Sequence, residues 1–185
     1  MFSSMSSITT ATPRDLVKQF ETAAISAAAS VERVPLSATS LEAAVKRRAS
    51  GRMAIAETLD LPSGLFSELH RLQGVVTARS KAELAVCDVG ITEAFAGVAR
   101  TGSVCVAVDH DYSGAISLLA RMHIAVLSSE NITERPGDLF NSQFLNGKAL
   151  QRNFVFITGP SATADMGPLV RGVHGPHQLH IIILE

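Results

Sequence analysis

Apolar positions along this chain recur in short blocks whose period switches between helical and strand-like. Thr12-Pro13-Arg14-Asp15 sets a hydroxyl, a proline and an acid where a helix would begin. Leu16, Phe20, Ala23, Ala24 and Ala27 then follow at helical spacing, which predicts a helix over 13–29. Val31 to Val34 reads as a short strand closed by Pro35. Ser40 to Arg48 reads as a second helix, with Lys46, Arg47 and Arg48 at the negative end of its dipole. Met53 to Ala56 is a brief strand, and Leu65 to Leu72 is helical in pattern.

From residue 80 onward the blocks shorten. Lys81 to Leu84 predicts one helical turn, and Ala85 to Thr92 a strand ending in a turn. Ala96 to Arg100 and Ser103 to Val108 flank Thr101-Gly102, the pattern of a tight hairpin. Ile116 to Leu119 is helical, His123 to Leu127 a strand, and Asp138 to Leu145 a helix closed by Asn146-Gly147. Phe154 to Ile157 and His180 to Leu184 are unbroken apolar runs, as in strands buried on both faces. Helices alternating with such strands predict an α/β fold: a largely parallel sheet with a hairpin insertion. The expected organisation is one domain over 1–185, with a frayed polar tail over 1–12, a more helical part over 13–75 and an α/β core over 80–185.

Composition narrows the classes. The 185 residues are 46% hydrophobic and 18% charged, enough to bury a sizeable core. A net charge of −1 leaves no electrostatic footprint for nucleic acid. No apolar run approaches the roughly 20 residues that span a bilayer. Met1 to Ser7 lacks the basic and apolar segments of a secretion signal, so the expected compartment is the cytoplasm. The two cysteines, Cys87 and Cys105, sit inside apolar runs and read as buried, reduced thiols.

Candidate chemistry concentrates after Ile157. Gly159-Pro160-Ser161-Ala162-Thr163-Ala164-Asp165 follows a strand-like run, where open α/β sheets usually place ligand loops. Gly159 permits close backbone approach, the hydroxyls of Ser161 and Thr163 can meet a phosphate or carboxylate, and Asp165 can orient a ligand hydroxyl. The competing reading is a strand-to-helix turn with Ser161 or Thr163 as cap. His174 lies between glycines and is the best ligand-facing imidazole, although a loop-bracing hydrogen bond explains it as well. His174, His177 and His180 lack metal-site spacing; His180 reads as a core histidine and His177 as an exposed one. Thr101-Gly102-Ser103 offers hydroxyl and amide donors or simply turns a hairpin. Asp109-His110-Asp111 pairs carboxylates with an imidazole, as general-base work needs, but reads rather as a solvated turn; Ser128 to Asn131 offers pocket donors or simply turns the chain.

Cys87-Asp88-Val89-Gly90-Ile91-Thr92, Ala99 to Ser103, His123 to Val126, the Gly159–Asp165 loop and Gly172-Val173-His174-Gly175-Pro176 occur in one order over about residues 80 to 185. Together they resemble the LUD-domain family, whose members include lactate-utilisation protein C. That resemblance implies a Rossmann-like open α/β sheet, the fold of the NagB/RpiA/CoA-transferase-like group. It also implies an accessory subunit, without its own cluster, of an iron–sulfur L-lactate oxidation system. Two isolated cysteines cannot hold a cluster unaided, so clusters would sit on partner subunits. A small anionic ligand would meet Gly159, Ser161, Thr163, Asp165 and His174, with Arg100, Thr101, Gly102 and Ser103 nearby. The chain departs from the family's usual pattern twice: Arg100 stands where an acid precedes Thr-Gly, and Met166 is followed by Gly167. The alternative is a stand-alone enzyme or sensor that binds a phosphorylated metabolite, nucleotide or CoA-like ligand at the same loop.

Overall fold

The computed structural model describes residues 12–56, 58–62, 64–77, 80–108, 112–163, 168 and 170–185. In chain order the elements begin with α1 (Pro13–Ser26), β1 (Ser30–Val34), α2 (Ala38–Arg48), β2 (Met53–Ile55) and α3 (Lys81–Leu84). Next come β3 (Val89–Ala94), β4 (Ala96–Val98), β5 (Ser103–Ala107), α4 (Ser113–Leu119), β6 (Met122–Ser128) and β7 (Ile132–Thr133). The last are β8 (Phe154–Ile157), β9 (Ala162–Thr163), β10 (Val170–Arg171) and β11 (Gln178–Leu184).

The central sheet has the order β1-β11-β6-β3-β2, and every pairing in it is parallel. The fold is therefore α/β with a mostly parallel sheet, as the apolar runs predict. Strand side chains alternate faces, so β6 and β11 feed two cores. Ile124, Val126, Ile182 and Leu184 pack under α2 with Leu41 and Val45. Ala125, Leu127, Ile181 and Ile183 pack under α1 with Val17 and Phe20. Residues 13–75 supply β1 and β2, the two edges of this sheet.

The expected hairpin is present and belongs to a second sheet of order β7-β4-β5-β8. β4 and β5 are antiparallel around the Thr101-Gly102 turn. The chain passes from the central sheet into the second at Phe95, whose amide already donates to Cys105 O at 3.0 Å.

Several predicted elements differ from the structure. Phe154–Ile157 forms no buried parallel strand: β8 pairs antiparallel with β5 at the edge of the second sheet. Its Val155 and Phe156 remain 41% and 43% exposed, so its unbroken apolar run reports a surface and not a doubly covered strand. The first helix stops at Ser26 because Ala28 adopts a φ of 67°, which no helix can contain. The second helix starts before Ser40, because the Ser37 hydroxyl accepts the Ser40 amide hydrogen at 3.1 Å and caps it. Leu65 to Leu72 is a series of turns with a 3₁₀ segment at Leu69–Arg71. Its Leu65, Phe66 and Leu69 are nevertheless buried against the α2 core, so packing and not helical bonding sets its periodicity. Ala85 to Cys87 stays outside β3, whose pairing begins at Val89 opposite Met122. The helix expected over Asp138 to Leu145 resolves into 3₁₀ segments interrupted by left-handed residues at Leu145, Asn146 and Gly147.

Candidate functional site

Among the described residues the polar loop after β8 starts no helix. Ala162 and Thr163 form β9, paired antiparallel with Arg171 and Val170 of β10. The Ser161 amide donates to Pro176 O at 2.9 Å, and the Gly172 amide donates to Ser161 O at 2.9 Å. The Gly-Pro-Ser and Gly-Val-His-Gly-Pro segments, separate in sequence, are thus laced together.

Two glycines fix where this assembly sits. Gly159 has a φ of 70°, and a side chain there would overlap the carbonyl oxygen of Ala27. Gly102 has a φ of 65°, and a side chain there would overlap the Ala23–Ala24 backbone of α1. Both turns are thereby pressed against the C-terminal part of α1, and neither tolerates a Cβ. Gly102 is therefore placed by packing and does not face the ligand space described next.

Between the laced segments, α4 and the start of β6 lies a cavity of about 610 Å³. Gly159, Ser161 and His174 line it, together with Thr158 and Pro176. Leu118, Val155, Phe156 and Leu179 give it apolar walls. His174 is exposed and Ser161 half-buried, so these two mark the rim. Behind these walls lies His123, which has no solvent exposure.

The other predicted residues fall elsewhere. Thr163 sits in the β9–β10 ribbon, outside the residues that line the cavity. Arg100 and Thr101 are exposed in the hairpin turn and do not line it either. Ser103 is buried and reaches the cavity at one remove. Its Oγ lies 2.7 Å from Thr101 Oγ1 and 2.6 Å from Oγ1 of Thr158, a lining residue. Asp165, Met166 and Gly167 lie outside the described residues, as does Asp109-His110-Asp111.

The histidine that sequence reasoning missed is His123. It is the second residue of β6 on an otherwise apolar strand, and that polar interruption was the available signal. Its Nε2 is 2.8 Å from Thr92 Oγ1 on the neighbouring β3, while Nδ1 has no hydrogen-bond partner. Burial pushes its pKa down to about 3, so the ring is neutral at physiological pH. His180, the other histidine on a core strand, has Nδ1 2.8 Å from Ser30 Oγ, and Nε2 lies 3.7 Å from Glu32 Oε2. Burial, and then the nearby Arg48, lowers its pKa. His180 is a core histidine as expected, and His177 is exposed. Among the described residues no group of three His, Cys, Asp or Glu is arranged to hold a metal.

Open parallel sheets usually bind ligands at the C-terminal ends of their strands. Here the cavity lies instead beside the second residues of β6 and β11, at their N-terminal ends. At the C-terminal end of β3, Glu93 is spent internally: it accepts amide hydrogens from Leu59, Asp60 and Leu61 at 2.5, 3.1 and 3.0 Å. Burial raises its pKa against those bonds. Asp60 in turn holds Lys148 at 2.5 Å and also Arg152, whose guanidinium lies 5.1 Å from the Phe95 ring centre. Both cysteines are free and buried; burial raises the Cys87 pKa and pushes that of Cys105 up to about 12.

The sequence model of the LUD domain matches residues 28–184, reaching well beyond the motif-bearing region. The chain belongs to the LUD-domain family. Among its curated relatives, lactate utilization protein C of Bacillus subtilis is 34% identical over 109 residues, covering 57% of this chain and 45% of that protein. The protein of the same name from Halalkalibacterium halodurans is 32% identical over 131 residues, 66% of this chain and 57% of its own. That from Oceanobacillus iheyensis is 31% identical over 102 residues, 53% of this chain and 44% of its own. This LUD chain thus spans about half the length of these relatives. The crystal structure of a DUF162 family protein from Deinococcus radiodurans superposes with a TM-score of 0.69 at 20% identity. That likeness covers 95% of this chain and 100% of the other, and it concerns the fold.

Proposed function

We propose that this LUD protein is an accessory, cluster-free component of a lactate-utilisation system and that its cavity receives an organic ligand with an anionic group. The observation that carries the site is the lacing of the two glycine-rich segments through Ser161, Gly172 and Pro176, which creates the cavity's rim. The names of its relatives supply the metabolic context. The Ser161 hydroxyl and the His174 imidazole at the rim are the groups suited to a carboxylate. With only two cysteines, both buried, electron transfer would rest on iron–sulfur partners.

A stand-alone binder of a phosphorylated metabolite or nucleotide is the competing reading. Among the described residues that line the cavity there is no Lys or Arg, so several phosphate charges would enter it uncompensated. That favours the first reading. The test is gentle purification of the tagged protein from its native host, with bound iron and co-purifying proteins measured. Iron–sulfur partners and lactate-dependent electron transfer support the proposal. An iron-free protein without partners overturns the subunit role and leaves the stand-alone binder.

A further inference from the structure

The cavity is much larger than a three-carbon acid. Such an acid fills roughly the space of three or four waters, at about 30 Å³ each. At about 610 Å³ the cavity belongs instead among the pockets of roughly 300–1,000 Å³ that enclose drug-sized molecules.

Its polar groups are unevenly placed. Five of the described lining side chains are polar, and three of them are already engaged or covered. The Ser117 hydroxyl donates to Gly114 O at 2.9 Å. Thr158 Oγ1 lies 2.6 Å from Ser103 Oγ, and His123 has no solvent exposure. That leaves the Ser161 hydroxyl and the His174 imidazole, both at the rim. The remaining walls are apolar, and Leu118, Val155 and Phe156 keep exposed surface that a ligand could bury. Gly175 joins the two parts. A Cβ placed there would lie 3.4 Å from Leu118 Cδ1 and 3.5 Å from Ser161 Oγ. The apolar wall and the rim hydroxyl are thus close enough for one molecule to touch both.

We propose that the cavity's ligand is an amphipathic monocarboxylate, an acid with an apolar body of phenyl size or larger. Its carboxylate meets the Ser161 hydroxyl and the His174 imidazole, while its body lies against Leu118, Val155, Phe156 and Leu179. The inference rests on the reading of the cavity as a site for an organic anion and narrows the class of that anion. A single charge suits a cavity whose described lining residues include no Lys or Arg.

Calorimetric titration of the full chain with L-lactate, L-3-phenyllactate and 3-phenylpropane-1,2-diol tests this. The second compound adds a ring to the first, and the third replaces the carboxylate of the second by an alcohol. Phenyllactate binds about ten- to a hundredfold more tightly than lactate, the gain from burying a Phe-sized side chain. The diol binds at least about tenfold more weakly than phenyllactate, for want of a charged acceptor. Leu118 is exposed, so Leu118→Ser spares the fold while lowering the phenyllactate-to-lactate affinity ratio severalfold. Ser161→Ala weakens both acids and keeps their ratio, which separates head from body. Lactate binding as tightly as phenyllactate, or a ratio unchanged in Leu118→Ser, overturns the proposal and leaves the anion site at the rim standing. A diol that binds as tightly as phenyllactate overturns the carboxylate contact and the anion site with it. Binding of none of the three overturns both.

Discussion

The buried, neutral His123 makes a quantitative prediction about acid stability. Its pKa falls from an ordinary 6.5 in the unfolded chain to about 3 in the fold. Between those values the unfolded state binds the extra proton, so acid favours unfolding. The contribution is fully present above about pH 6.5 and is lost as pH falls toward about 3. Lowering the pH from about 7.5 to about 5.5 costs about 1.4 kcal/mol from this one group. His180 acts with the same sign, since its pKa is also lowered, so the wild-type slope alone is ambiguous. The His123→Gln variant resolves this: its amide oxygen still accepts from Thr92, it cannot titrate, and His180 is retained. Urea unfolding at the two pH values gives four stabilities. The wild type should lose about 1.4 kcal/mol more than the variant over this interval. Equal losses would show that His123 is hydrated or charged in the native state and would refute the reading of a buried, neutral ring.

Gly159→Ala should cost on the order of 2–4 kcal/mol, since it combines a left-handed backbone with overlap on α1, and thermal unfolding would report it as a lowered Tm. Gly102→Ala should behave alike for the same reason. Ser161→Ala should weaken ligand binding about tenfold while Thr163→Val leaves it unchanged, because only Ser161 lines the cavity; calorimetry checks the pair. Arg100→Glu should leave ligand affinity within about twofold of wild type, as Arg100 is exposed in the hairpin turn; a larger change would place it at the site. Both thiols should resist alkylation in the native protein near pH 8 and react once urea unfolds it, because burial raises both pKa values.

Much of this fold is decided by local chemistry and is legible in the chain. The Thr12–Asp15 cap, the alternating faces of β6 and β11 and the Thr101-Gly102 turn each follow from the residues at those positions. The two glycine-rich segments likewise announce themselves as the candidate loop. Tertiary structure decided the rest. Phe154–Ile157 has the composition of a buried strand, but pairing with β5 placed it at an exposed edge, because the apolar run does not encode its partner. Arg100 and Thr163 belong to the motif segments, yet hairpin and ribbon geometry carry them away from the cavity. His123 looked like one more strand residue until parallel pairing brought Thr92 beside it and left one nitrogen buried without a partner. Sequence alone thus determined the first two helices and the central strands with their buried faces, which depend on neighbours within a few residues. Only the assembled structure decided which distant residues meet, because those contacts depend on sheet order and register.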